Sequence, residues 1–191
     1  VKDNINHLFD YNLCLETRTI TFFNEIDEES AESFIKALHI LDNYKTGTVT
    51  IKLSSEGGCV ISGFAMYDAI RAMKNHVRGI VYGECSSMGT VVLQGCDERI
   101  LTPNSFLMLH WGSQTISGHP KSNENWLRLY KDLDRRCNEI YLEKINHRQK
   151  EKKKKQLKLE ELEKMLDFDT VLLPKKVVQL GLADSILEGA Y

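Results

Sequence analysis

The chain has 191 residues, 42% of them apolar and 27% charged, which is enough for one sizeable core and too few for two ordinary domains. Its 25 lysines and arginines against 27 aspartates and glutamates leave a net charge of -2, so it lacks the strong positive field of a general nucleic-acid or acidic-membrane binder. The longest apolar runs, Phe64–Tyr67 and Phe106–Leu109, are four residues each, far short of the about 20 that cross a bilayer.

The amino terminus, Val-Lys-Asp-Asn-Ile-Asn, lacks the apolar core and small-residue cleavage site of a signal peptide. Five cysteines, Cys14, Cys59, Cys85, Cys96 and Cys137, are odd in number, widely spaced and without a C-x-x-C pair. That pattern predicts free thiols in a reducing compartment and neither a disulfide framework nor a zinc site.

Thr17–Phe22 alternates like a half-buried strand, and after Asp27, placed as an N-cap, Phe34, Leu38 and Leu41 recur at helical spacing. Val49–Leu53 alternates again, ends in the turn Ser54-Ser-Glu-Gly-Gly58, and leads to Val60, Phe64, Tyr67 and Ile70 at helical spacing. The unit recurs: Val77–Tyr82 reads as a strand, Gly83–Gly89 as a glycine-bounded turn, and Gly89–Gly95 as a short apolar helix. Alternating strands and helices predict an α/β core. Strands follow at Arg99–Thr102 and Phe106–His110, and the mainly parallel core is expected to stop there.

From Ser122 to Asn146 the residues Trp126, Leu129, Leu133, Cys137, Tyr141 and Ile145 fall three or four apart, predicting one long amphipathic helix that projects from the core. Lys150–Lys155 holds five lysines and one glutamate and reads as a solvated helical face or loop tip. Pro174 opens a last short helix, Gly181 suits its C-terminal cap, and Ala183–Leu187 reads as a closing strand.

The chain holds no phosphate-binding loop, no dinucleotide turn and no zinc helix of the common types. What remains is two glycine turns at strand ends, where an open α/β sheet places its ligands. In Ser55-Glu-Gly-Gly-Cys59 two glycines let backbone N–H groups be presented to an oxyanion, although an ordinary tight turn has the same look. In Gly83-Glu-Cys-Ser-Ser-Met-Gly89 a hydroxyl stands at Ser87 where a helix starts, a position that suits a nucleophile and equally an ordinary N-cap. Of six histidines, His110 ends an apolar strand and is delivered to the same sheet edge. A carboxylate to fix its tautomer is offered by Asp167, Asp169 and Asp184, and spacing alone does not choose among them.

Taken in order, Ser54-Ser-Glu-Gly-Gly-Cys-Val60, Gly83-Glu-Cys-Ser-Ser-Met-Gly89, Pro103-Asn-Ser-Phe-Leu-Met-Leu-His110 and Gly181-Leu-Ala-Asp-Ser-Ile186 resemble the ClpP family, the proteolytic subunits of Clp proteases, from about Thr17 to Leu187. The resemblance implies an α/β fold of ClpP/crotonase type, with stacked β-α-β units in a single domain over residues 1–191. Residues 122–168 would form a projecting helical handle. It implies a serine endopeptidase with Ser87 as nucleophile, His110 as general base and Asp169 as orienting carboxylate, Asp167 being the fallback. Gly58 and Met88 would supply oxyanion N–H groups, with Gly57 beside the substrate. Neither metal nor cofactor is implied. The implied partners are further copies in heptameric rings, stacked as a tetradecamer, a separate AAA+ unfoldase and unfolded polypeptides, with no nucleic acid and no membrane. The implied compartment is the cytoplasm or an organellar matrix or stroma.

Several positions depart from the family pattern. Glu56 replaces a proline, Cys85 and Ser86 replace small residues, Trp111 replaces a glutamine, and the lysine-rich stretch lengthens the handle region. Val1–Leu15 resembles the family's axial-loop segment only loosely. Two other readings stay open on the sequence: a catalytically silent ring subunit, and a crotonase-type acyl-CoA enzyme, whose backbone N–H groups hold a thioester oxyanion.

Overall fold

The computed structural model describes residues 12–112, 117–166 and 168–188. The elements in chain order are β1 Leu13–Cys14, β2 Thr19–Phe23, α1 Glu28–Tyr44, β3 Val49–Ser55, α2 Val60–Arg71, β4 Val77–Ser86, α3 Met88–Gln94, β5 Glu98–Leu101, β6 Phe106–Leu109, α4 Pro120–Glu151, α5 Leu159–Met165, β7 Thr170–Leu172, α6 Pro174–Leu180 and β8 Ser185–Ile186. The sheet order is β1-β2-β3-β4-β5-β8, with β6 branching from β4 and carrying β7.

Local chemistry sets the predicted elements. Asp27 accepts the Ser30 N–H while the Ser30 hydroxyl accepts the Asp27 N–H, a reciprocal cap that starts α1. Phe34, Leu38 and Leu41 are buried on the face this helix turns to the core. Strands β2, β3, β4 and β5 run parallel, and their inward residues Ile20, Phe22, Ile51, Leu53 and Val81 join helical residues Met66, Val92 and Leu93 in one cluster. Gly181 caps α6 in the left-handed region at φ 90°.

The structure corrects the sequence reading in three places. The expected turn at Gly83–Gly89 is mostly strand, because β4 runs on to Ser86. Gly83, at φ 64°, bends it, and the pairing with β3 jumps from Leu53↔Val81 to Ser55↔Cys85. Before the bend β4 pairs with β5 and after it with β6, so one strand serves two neighbours. Secondly, the mainly parallel core does not stop at β6: the expected closing strand is present as β8, parallel to β5, and β7, which the sequence reading did not include, adds antiparallel to β6. Thirdly, the apolar stripe of α4 divides. Tyr141 and Ile145 are buried, whereas Trp126 at 48% and Leu129 at 40% exposure lie on the part of the helix that leaves the core.

The lysine-rich stretch lies at the carboxyl end of α4, exposed, with the Lys152 Nζ donating to the Gln179 carbonyl at the end of α6. No helix among the described residues is long and apolar enough to cross a membrane.

Candidate active site

Ser87 joins β4 to α3 at φ 51° and ψ -125°, a backbone conformation that costs a non-glycine residue about 1–3 kcal/mol. The surroundings enforce it. The Ser87 N–H donates to the Met108 carbonyl of β6 at 2.7 Å, and the Ser87 carbonyl accepts from both the N–H and the hydroxyl of Thr90, at 3.0 Å and 2.6 Å. With both backbone groups held, the side chain is thrown clear of the turn. It makes no cap bond to α3, so the ordinary N-cap explanation of this serine does not apply. Its Oγ lies 2.8 Å from His110 Nε2 instead.

His110 follows β6 directly, and the β6–β7 register pairs Leu107 with Leu172, Met108 with Val171 and Leu109 with Thr170. One step further along the same antiparallel ladder stands Asp169 opposite His110. Its Oδ1 lies 3.2 Å from His110 Nδ1, completing a serine–histidine–aspartate hydrogen-bonded chain. The histidine is 29% exposed and the aspartate 71%.

The Gly57–Gly58 turn closes on the same point. The Ile26 N–H donates to the Gly57 carbonyl and the Cys59 N–H to the Ile26 carbonyl, both at 2.7 Å. Because the intervening peptide is trans, the Gly58 N–H points away from Ile26. Gly57 faces Ser87 so closely that a Cβ on it would sit 2.7 Å from Ser87 Cβ and 3.0 Å from the Met88 nitrogen. Its φ of 101° also belongs to glycine. The Gly57 N–H is spent on the Ser55 hydroxyl at 3.2 Å, which leaves Gly58 as the donor in this turn.

The family model for Clp protease matches residues 3–190. The chain belongs to the Clp protease family. Among solved structures it is similar to a mutant ClpP1 from Listeria monocytogenes at 23% identity and a TM-score of 0.76, covering 92% of this chain and 94% of that one. The likeness places the α/β architecture and the long helix in the ClpP fold, and the family makes the chain a ClpP-type protease.

Within this Clp protease fold, Ser87, His110 and Asp169 converge with Gly57, Gly58 and Met88. Asp184 does not join them: its carboxylate is engaged at 2.8 Å by the Arg99 guanidinium, which also holds Gln94 at the carboxyl end of α3. Asp167, the fallback, lies outside the described residues, as do positions 1–11 of the axial-loop resemblance.

Four residues near Ser87 had not been singled out for the site. Thr90 holds the Ser87 carbonyl, and Tyr141 of α4 stands behind it with its hydroxyl 2.6 Å from Thr90 Oγ1. Asp134 and Asn138, one turn apart on α4, line a cleft with Ser87, Met88 and His110. Burial pushes the Asp134 carboxyl up from its ordinary range, against the opposing pull of the Gly112 N–H and the His110 ring. The available signal was the spacing of positions 134, 138 and 141, which falls on one helix face beside the apolar stripe.

Proposed function

We propose that this chain is a ClpP-type serine endopeptidase subunit, a single peptidase unit in which Ser87 is the nucleophile, His110 the general base and Asp169 the residue that orients it. The observation that carries this reading is the continuous contact from Ser87 Oγ through both ring nitrogens of His110 to Asp169, on a strained turn that frees the hydroxyl from any capping role.

In this mechanism Ser87 Oγ attacks the scissile carbonyl while its proton moves to His110 Nε2. Asp169 accepts from Nδ1 and stabilises the imidazolium. The oxygen, now negative, is held by the Gly58 and Met88 N–H groups, which need no reorganisation as charge develops. Collapse breaks the C–N bond, and Nε2 returns the proton to the departing amine. Water then enters by the reverse sequence, releasing the acid and restoring the Ser87 hydroxyl.

The exposed apolar residues Trp126, Leu127 and Leu129 favour an assembly in which further copies cover them, as in stacked heptameric rings with residues 122–168 as the handle. An AAA+ unfoldase would supply unfolded polypeptide to the enclosed chamber. The compartment that suits the reading is the cytoplasm or an organellar matrix, and the five cysteines are free, in keeping with a reducing one.

The test is a fluorophosphonate probe followed by mapping of the labelled peptide, with peptide hydrolysis measured in parallel. An adduct on Ser87, and loss of both signals in Ser87→Ala, is the expected result. Hydrolysis that survives Ser87→Ala overturns the assignment, and a folded chain with neither signal is the silent ring subunit instead.

A further inference from the structure

The cleft that opens beside Ser87 is walled on one side by Val60, Met88 and Val91 and on the other by α4. From α4 it receives Asp134, Asn138 and Tyr141, which share a face through their spacing of four and three. The Tyr141 hydroxyl is already bonded to Thr90. Asp134 accepts from the Gly112 N–H, whereas Asn138 keeps an unmet donor. Asn138 is 4% exposed and its Nδ2 is buried without a hydrogen-bond partner. Asp134 is the one carboxylate among the cleft residues, no lysine or arginine lines the cleft, and the charged group that acts on it is the His110 ring.

A partly buried carboxylate without a lysine or arginine partner, beside a carboxamide with an unmet donor, is an arrangement that a ligand completes. We propose that Asp134, with Asn138, makes this cleft select a basic side chain, lysine or arginine, on the acyl side of the cleaved bond. The proposal rests on Ser87 being the nucleophile, since that places the cleft where this side chain must enter. The free space there is about 30 Å³, so the methylene stem of lysine or arginine has to part Val60, Met88 and Val91 from α4 for its charged head to reach Asp134. A half-turn of the Asn138 carboxamide exchanges its oxygen and nitrogen, so it supplies a second acceptor for the same cation. An apolar side chain would leave the carboxylate with the Gly112 N–H alone and the carboxamide unpaired, and an acidic one would face the carboxylate.

The experiment compares fluorogenic peptides identical except for arginine, lysine, glutamine, leucine or glutamate at that position, with fluorophosphonate labelling, which presents no such side chain, run alongside. Arginine and lysine are expected to exceed leucine in kcat/KM by about tenfold or more, the worth of one charge-assisted hydrogen bond. In Asp134→Asn, which keeps an oxygen for the Gly112 N–H, the arginine-to-leucine ratio is expected to fall to near one. Labelling of Ser87 with leucine preferred in the wild type, or an unchanged ratio in the variant, overturns the inference and leaves the nucleophile standing. If the wild type is neither labelled nor active, the nucleophile assignment fails. Ligand-observed NMR with butylguanidinium then judges the cleft alone: saturation transfer that Asp134→Asn abolishes upholds the cation site, and no transfer to the wild type overturns it.

Discussion

Replacing Tyr141 by phenylalanine removes one buried oxygen and leaves the ring that packs around it. Thr90 has a single hydroxyl proton, and it is donated to the Ser87 carbonyl at 2.6 Å, which can only accept. The 2.6 Å contact to Tyr141 is therefore a bond donated by the phenol. Burial raises the Tyr141 pKa far above its ordinary range, so that proton is always present. Tyr141→Phe then removes one neutral bond and leaves the threonine still donating, a cost of about 1 kcal/mol. Thr90→Val is worse, because it takes away the bond to Ser87 and strands the phenol proton in a site 4% exposed. About 2–4 kcal/mol is expected, from one lost bond plus one buried donor. The double variant should cost no more than Thr90→Val alone, which corresponds to a coupling of about 1–2 kcal/mol. Urea unfolding followed by circular dichroism measures all three, and each kcal/mol corresponds to about 2–4 °C in Tm for a chain of this length. Additive costs within about 0.5 kcal/mol, or a Thr90→Val no costlier than Tyr141→Phe, would refute this proton accounting.

Gly57→Ala should destabilise by about 2–5 kcal/mol, combining a left-handed backbone penalty with overpacking against Ser87 and Met88, and a urea midpoint within error of wild type would contradict it. Thiol alkylation at neutral pH should modify Cys59 first. That thiol is exposed, and although its partial burial acts to raise the pKa, hydrogen bonds from Ser62 bring it below the ordinary value. Cys85 and Cys96 are buried, with burial pushing Cys96 up to about 12, so they should react only on unfolding. Peptide mapping after brief iodoacetamide treatment reads the order.

Local signals made much of the scaffold legible. The Asp27 cap, the stripe of α1, the alternation in β3 and the Gly181 stop each depend on residues within a few positions of one another, and the structure reproduces them. Elements whose reason is non-local did not announce themselves. Thr170–Leu172 is too short to show alternation and is a strand only because β6 lies beside it. Residues Glu84–Ser86 look like turn material until β6 supplies their ladder. The same division holds at the site. Ser87 and His110 were legible as a turn hydroxyl and a strand-end imidazole, whereas Asp169 needed family likeness to be preferred over Asp184. The structural reason is the engagement of Asp184 with Arg99, 85 positions away. Asp134, Asn138 and the Thr90–Tyr141 pair were hidden because their meaning depends on how α4 lies across α3.

The change of partner along β4 fixes where this chain can vary in length. Between Gly83 and Ser87 side chains alternate on a strand whose second half is already registered against both β3 and β6. Adding or removing one residue there would exchange the two faces and turn the hydroxyl of position 87 into the sheet. The connection from Leu101 to Phe106 carries no such requirement, because β5 and β6 are each aligned by β4 and not by each other. Insertions near Pro103 should therefore be absorbed, while the four-residue step from the bend to the nucleophile behaves as a fixed ruler, a distinction useful for grafting reporter segments into this scaffold.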